Sequence, residues 1–405
     1  MPSRTTWAAR GPAPPSPSIR WGENISAILR AACVIPRSET AGLRVFGADE
    51  DEFTLAAAAL ELLMEGSTAG SPLEVVHLAG TFPASVGSWI PELLGHAVTV
   101  VQHGSDPNAL FQALRATAGD HLGTRAVVAV DAPPIGAPER WGAVGVAFRV
   151  GDGRGIEVLP SLESRRGDPG RVPVLPARPA VRGIGAPPLC ALAFALHARF
   201  GPPGAEGGRI AAEAGGWDAP GFRETGPIEW VGDWTGTSSA PRSIEAGTRE
   251  ATVEGHLFAV SEGAYVPKPR YLENLPSRWR FVAERCRNCG TITFPVRGSC
   301  RSCQRPDTLD RISLPLHGGT VLASTVIARG GQPTEFDGQV DASGPYGVVL
   351  VELAPRARVT LQVADAAPGA VRIGDRVDTR LRRLYPMEGE WRYGRKAIPT
   401  VVPGD

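Results

Sequence analysis

Cys286, Cys289, Cys300 and Cys303 form a C-x2-C-x10-C-x2-C array, and no other feature constrains this 405-residue chain as tightly. Each C-x2-C pair can close a tight turn with both sulfurs on one side, and two facing turns supply the tetrahedral thiolate shell that Zn2+ prefers. Gly290 follows the first pair directly, where a residue free to adopt positive φ lets backbone N–H groups approach the sulfurs. Two disulfides are the competing use of such spacing in small secreted proteins. Met1 to Arg20 is a Pro, Ala, Ser and Arg stretch with no apolar centre, so it does not read as a secretory signal, and zinc is the expectation. With no His or carboxylate in the array, the metal is expected to be structural, closing a ribbon too small to fold on apolar burial alone.

The length leaves room for two or three domains, and an apolar content of 42% is in the globular range. The 42 basic and 42 acidic side chains cancel, which argues against a chain devoted to nucleic acid or an anionic membrane. Locally the balance tips: Lys268 to Arg311 holds ten Lys or Arg against four Asp or Glu. That stretch is either a solvated basic face or a field that draws a phosphorylated ligand such as coenzyme A. The longest clear apolar run, Leu189 to Leu196, is far shorter than a membrane span, so a soluble, cytoplasmic protein is expected.

Residues 1–23 carry five prolines and no apolar period and are expected to be a disordered tail. Residues 24–215 alternate strand and helix patterns: strands at Ile25–Ile35, Val75–Ala79, Val98–Gln102, Arg125–Asp131 and Trp141–Gly151, and helices at Asp51–Met64, Ala109–Thr117 and Leu189–Phe200. Pro160–Pro188 is too rich in Pro, Arg and Gly for regular structure, and a last strand is expected near Arg209–Ala214. Residues 216–265, with Trp217, Trp230 and Trp234 among Gly, Pro and Ser, are expected to form an irregular linker. A helix and the zinc ribbon take 266–315. In 316–405, strands at Gly319–Ala328, Tyr346–Leu353, Arg358–Val363, Arg376–Leu384 and Tyr393–Pro399, with alternating Val349, Val351 and Leu353, suit a small five-stranded barrel of the OB type.

Pro267 to Pro399 resembles a family of acyl-CoA-associated proteins in which a helix leads into a rubredoxin-like zinc ribbon and then an OB fold. Pro276-Ser-Arg-Trp279, Cys286-Arg-Asn-Cys-Gly290 and Phe294-Pro-Val-Arg297 carry the ribbon phrase; Gly319-Thr-Val321, Pro345-Tyr346, Val351-Glu-Leu353, Arg382-Arg-Leu384 and Tyr393-Gly-Arg-Lys396 carry the barrel. The resemblance implies work beside thiolases, hydroxymethylglutaryl-CoA synthases and related acyl-transfer enzymes. Residues 25 to 215 look like a trimmed relative of the thiolase superfamily, nearest to hydroxymethylglutaryl-CoA synthases. The carriers are Val34-Ile-Pro-Arg37, Asp49-Glu-Asp-Glu-Phe-Thr-Leu55 and the strand Gly142–Asp152, while most of the superfamily's second half is missing.

A thiolase-type condensation uses a cysteine thiolate at a helix N-terminus and groups that move protons. At the matching turn this chain has His103-Gly-Ser-Asp-Pro-Asn108 instead. Cys33 falls in the first strand and Cys190 starts an apolar helix, as a small buried hydrophobe would. Ser105, His103 and Asp106 are too close in sequence to align as a triad. His77, His96, His121, His197 and His256 show no metal-ligand spacing. The resemblance therefore implies an accessory, non-catalytic subunit, in hetero-oligomer with a thiolase-superfamily enzyme that carries the nucleophilic Cys, with acyl-CoA as ligand of the complex. The alternatives are a divergent acyl-CoA carbon-carbon bond forming or cleaving enzyme using Ser105 and His103, and an OB-fold nucleic-acid binder. The last is disfavoured by balanced charge and an aromatic content of 6%.

Overall fold

The computed structural model describes residues 26–40, 43–44, 46–47, 49–65, 72–119, 123–132, 142–158, 189–202, 222–234, 242–243, 267–387 and 389–400. The sequence expectations for 1–23, 160–188 and 209–214 lie outside them.

The first half is built on a mixed sheet. In chain order its elements are β1 (Ser26–Val34), β2 (Ser38–Thr40), β3 (Leu43–Arg44), α1 (Glu52–Met64), β4 (Leu73–Ala79), α2 (Val86–Leu94), β5 (Thr99–Gln102) and α3 (Ala109–Gly119). There follow β6 (Thr124–Asp131), β7 (Val144–Asp152), β8 (Ile156–Val158), α4 (Ala191–Phe200), β9 (Phe222–Glu224), β10 (Glu229–Gly232) and β11 (Arg242–Ser243). The main sheet runs β5-β4-β6-β7-β1-β8-β9, and β10 pairs in parallel with β1 on the edge it shares with β8. β4, β5 and β6 are parallel to one another, and β7 reverses direction between β6 and β1.

Both faces are covered, which is why β6 and β7 are continuous apolar runs rather than alternating ones. Val127, Ala129, Val144, Val146, Phe148 and Val150 pack on the side of α3 and α4. Ala126, Val128, Val130 and Ala147 pack on the side of α1 and α2. Helix α1 sits close to the sheet because small residues meet: Ala56, Ala57 and Ala59 are fully buried, and a Cβ on Gly145 of β7 would lie 2.9 Å from Leu55 Cγ. Asp51 caps this helix, its Oδ1 accepting from Thr54 N at 2.9 Å while Thr54 Oγ1 accepts from Asp51 N at 2.8 Å.

Within the span expected to be an irregular linker, the described residues include three short strands. β9 pairs with β8, β10 with β1 and β11 with β2. Trp230 and Trp234 flank His197 of α4, with Trp234 stacked on its ring at 4.9 Å. These short segments take their conformation from the β1 edge and the sheet beside it, a tertiary template with no local sequence signature.

The second half begins with two short helices, α5 (Lys268–Glu273) and α6 (Leu275–Trp279), followed by a three-stranded ribbon of β12 (Val282–Cys286), β13 (Ile292–Thr293) and β14 (Leu309–Ser313). The barrel strands are β15 (Gly319–Ile327), β16 (Tyr346–Ala354), β17 (Ala357–Gln362), β18 (Arg376–Met387) and β19 (Glu390–Pro399), in the order β17-β16-β15-β18-β19. A parallel bridge from Val363 to Ala397 and a bond from Ala364 N to Ala397 O at 2.9 Å close it. A 3-10 turn and α7 (Asp337–Ser343) fill the β15–β16 connection. Val321, Val349, Val351, Leu361 and Val377 form the barrel core, which continues into the ribbon through Phe281 and Ala283. The chain is thus an α/β half followed by a zinc ribbon and a five-stranded OB-type barrel. No helix among the described residues is long and apolar enough to cross a membrane.

Candidate metal centre and the face between the halves

The four ribbon cysteines converge. Their sulfurs all lie within 4.8 Å of one another, with Cys286–Cys303 at 3.6 Å, Cys289–Cys300 at 3.5 Å and Cys289–Cys303 at 3.8 Å. All four are free thiols. A tetrahedron of sulfurs about 2.3 Å from a central zinc has edges of about 3.8 Å, so the donor set fits the ion.

Two equivalent knuckles build the site. Gly290 N bonds to Cys286 O and Gln304 N to Cys300 O, each at 2.8 Å. Both turn residues have positive φ, +70° at Gly290 and +59° at Gln304. Two of the thiols are shifted toward the thiolate: the Thr308 hydroxyl at 3.2 Å is the main influence holding the Cys286 thiol down at about 6, and Thr291 lowers Cys289, whereas Cys300, despite bonds from the Cys303 and Ser302 N–H groups, is raised by burial and the neighbouring thiols. Glu284, buried on β12, accepts from Arg297 N at 3.0 Å and Gly298 N at 3.1 Å, which fixes the approach to the second knuckle. Cysteine spacing points to the four converging thiols, whereas Glu284 and Thr308 carry no signal in the sequence.

The other two cysteines lie outside this cluster. Cys33 and Cys190 are buried, and burial, with Asp233 and Asp131 respectively adding to it, pushes both thiols well above their ordinary value. Asp131 Oδ2 accepts from Leu189 N and Cys190 N at 2.9 and 2.6 Å, anchoring the start of α4. The β5–α3 turn presents Ser105 to solvent. His103 Nε2 lies 2.9 Å from His77 Nδ1, and burial lowers the His103 pKa. Asp106 Oδ1 accepts from Asn108 N at 2.8 Å. The contacts of His103 and Asp106 thus run to His77 and to the α3 start.

Nothing in the sequence signals that two of its phrases meet each other. The Asp49-Glu-Asp segment and α1 pack against β18 and β19. Phe53 and Trp89 join Tyr271, Trp279, Leu381 and Tyr393 in one buried cluster, with Phe53–Tyr393 centroids at 5.0 Å and Trp89–Tyr393 also at 5.0 Å. Trp279 Nε1 and Tyr271 Oη each bond to Tyr393 O at 3.0 Å.

Around the aromatic centre, the ion pairs that cross between the halves all run one way among the described residues, acid on the α/β side and base on the barrel side. Arg395 grips Glu61 with both terminal nitrogens, Lys396 Nζ is 3.0 Å from Asp49 Oδ2, and Arg382 Nη2 is 2.9 Å from Glu50 Oε1. His317 Nε2 meets Glu65 Oε1 at 2.9 Å. Burial alone would raise Asp49, but Lys396 and Arg382 hold its carboxyl below the usual range. Glu50 is different: burial pushes it up to about 7 against the pull of Arg382. Glu61 on α1 and Glu65 at its C-cap are one helical turn apart, so both reach the barrel from the same face.

Comparison with known proteins fits this architecture. The family model for the rubredoxin-like zinc ribbon domain of ChsH2 matches residues 277–308, and that for its C-terminal OB-fold domain matches 315–382. A DUF35 domain-containing scaffold protein of Methanocaldococcus jannaschii is 33% identical over 132 residues, 32% of this chain and 89% of that protein. One of Methanothermobacter thermautotrophicus is 32% identical over 134 residues, 33% of this chain and 96% of that protein. Among solved structures, an Ltp2-ChsH2(DUF35) aldolase chain is 23% identical, with a TM-score of 0.26 and coverage of 34% of this chain and 100% of that one. PksG, a hydroxymethylglutaryl-CoA synthase from Bacillus subtilis, is 15% identical with a TM-score of 0.28, over 36% of this chain and 42% of that one. Through its ribbon and barrel, the chain belongs to the family of DUF35 domain-containing scaffold proteins.

Proposed function

We propose that this chain is a non-catalytic scaffold subunit of an acyl-CoA complex, holding a thiolase-superfamily enzyme that supplies the nucleophilic cysteine. The observation that carries the reading is the disposition of the thiols. The sequence has six cysteines; four belong to the tetrathiolate cluster, and the other two are buried and held in the protonated form. None lies at the β5–α3 turn, where the superfamily resemblance would put the acyl-accepting thiolate. Kinship with the two methanogen scaffold proteins points the same way.

Zinc bound by four thiolates has no open position and supplies folding energy rather than a reactive water. The ribbon it closes anchors α6, and α6 in turn seats Trp279 beneath Tyr393, so the metal site supports the face that holds the α/β half. The chemistry belongs to the partner; this chain positions it and shapes the acyl-CoA approach.

Tagged purification from the source cell, with co-purifying proteins identified and the eluate assayed on acyl-CoA substrates, tests the reading. A co-purifying chain that keeps a reactive cysteine, with activity lost when that chain is stripped away, is the expected result. Full thiolase or aldolase turnover by the purified chain alone would overturn it.

A further inference from the structure

We infer that the β15–β16 connection and the strands it packs on form a binding site for a guanidinium group carried on an alkyl chain, with Glu335 as its anion and Phe336, Tyr346 and Tyr385 as its aromatic walls. The inference goes beyond the scaffold reading and does not rest on it.

The connection is built on the 3-10 turn Thr334–Phe336, which packs against β18 and leads into α7. The Phe336 ring lies 6.0 Å from that of Tyr346 on β16 and 5.3 Å from that of Tyr385 on β18, nearly perpendicular to the latter. Both tyrosines are buried, and burial, with the Glu335 charge adding to it, raises both phenols above their ordinary value. One carboxylate and three rings therefore share one place on the barrel. The other acids of the connection are occupied: Gln332 Nε2 donates to Asp337 Oδ1 at 2.7 Å, and Arg329 Nη2 to Asp341 Oδ1 at 2.9 Å.

Glu335 Oε2, Gln339 Oε1 and both amide atoms of Gln362 are shut off from solvent, yet meet no hydrogen-bond partner among the described residues. Gln362, the last residue of β17, approaches the Tyr346 hydroxyl without either amide atom closing a bond. Enclosed polar atoms without partners are unfavourable, most of all when charged, so folding alone gives no reason to keep three side chains in that state. Three of the four atoms are acceptors, and Glu335 adds a negative charge. What answers them is a cation with several N–H donors. A guanidinium spreads five donors around a plane whose faces stack on aromatic rings, whereas an ammonium gathers three at one point. Arg278 and Arg392 also act on Tyr385, but their guanidinium groups lie over the Tyr271 ring at 5.8 and 5.0 Å, and Arg392 pairs with Glu390. Their charges disfavour a divalent ion here and suit a ligand of single charge.

Isothermal titration of the zinc-loaded full-length chain with butylguanidinium tests the site, with butylammonium as the matched control. Saturable binding at one site per chain is expected, with a Kd of about 1 mM or below, and about tenfold or more weaker for butylammonium. Glu335→Gln should weaken butylguanidinium about tenfold or more while leaving Tm unchanged or higher. Phe336→Leu, which keeps the carboxylate, should weaken it several-fold. Two further probes separate the sources: tighter binding of free arginine than of arginine capped at both ends marks a free guanidino compound as the occupant, and the reverse order marks an arginine side chain of a partner. Either order supports the site. No saturation by any guanidinium probe up to about 20 mM, equal binding of butylammonium, or an unchanged Kd in Glu335→Gln would overturn the inference. If Glu335→Gln fails to fold, the Phe336→Leu and Gln339→Leu titrations decide in its place.

Discussion

Tyr393 Oη donates to Asp51 Oδ2 at 2.8 Å, joining residues 342 apart in the chain. Asp51 is also the N-cap of α1, so one carboxylate both starts the helix that covers the sheet and receives the barrel. Burial and the neighbouring Asp51 charge raise the Tyr393 pKa, so the phenol stays a donor at any physiological pH. Tyr393→Phe should lower unfolding stability by about 1–3 kcal/mol, as loss of a hydrogen bond to a charged acceptor does. Tyr393→Ala, which also removes the ring packed against both Phe53 and Trp89, should cost about 3–5 kcal/mol in the same denaturation experiment.

Metal content follows from the sulfur geometry. Purified protein should carry about one zinc per chain by elemental analysis. Cys286→Ser or Cys303→Ser should reduce that several-fold and loosen the ribbon, while Cys33→Ser, remote from the cluster, should leave it unchanged.

His317 links the halves through Glu65 and also lies 3.5 Å from Asp378 Oδ1. The Glu65 hydrogen bond is the main cause of its raised pKa, with Arg380 opposing and Asp378 assisting. A His whose folded pKa exceeds its unfolded value of about 6.5 stabilises fully below that value and loses the contribution as pH rises through the folded one. Thermal scans at pH 6 and pH 8 should show wild type losing more of its Tm than His317→Gln. Equal losses would show that the pair adds nothing.

The seat of α1 rests on the small residue beneath it. Gly145→Val puts a side chain where a Cβ alone would come within 2.9 Å of Leu55, and should destabilise by about 1–3 kcal/mol.

Much of this fold is legible in local sequence patterns. The knuckles are visible because cysteine spacing is set within single turns, and β16 is visible because Val349, Val351 and Leu353 alternate into the barrel core. Helix α1 announces itself by an acidic start and an Ala- and Leu-rich body. Helix α2 does not, since Gly87, Ser88 and Pro91 break its pattern and Ser85 makes no capping bond, leaving Trp89, Ile90 and Leu93 to hold it by burial. β9 and β10 escape sequence reading for the related reason that the sheet edge, not their composition, makes them strands. The face between the halves is the least legible. Each of its two phrases stands out separately, yet the contact between Asp51 and Tyr393 spans most of the chain, and one sequence carries no signal of such distant pairing.

If the chemistry lies in a partner, acyl-CoA turnover must follow the partner and not this chain. The decisive measurement is turnover by the zinc-loaded chain alone, by the captured partner alone and by the two together, repeated with Ser105→Ala and His103→Ala. The scaffold role requires no turnover from the chain alone, and a rate for the pair that those two substitutions leave within about twofold. Turnover by the isolated chain that collapses in Ser105→Ala or His103→Ala would contradict it.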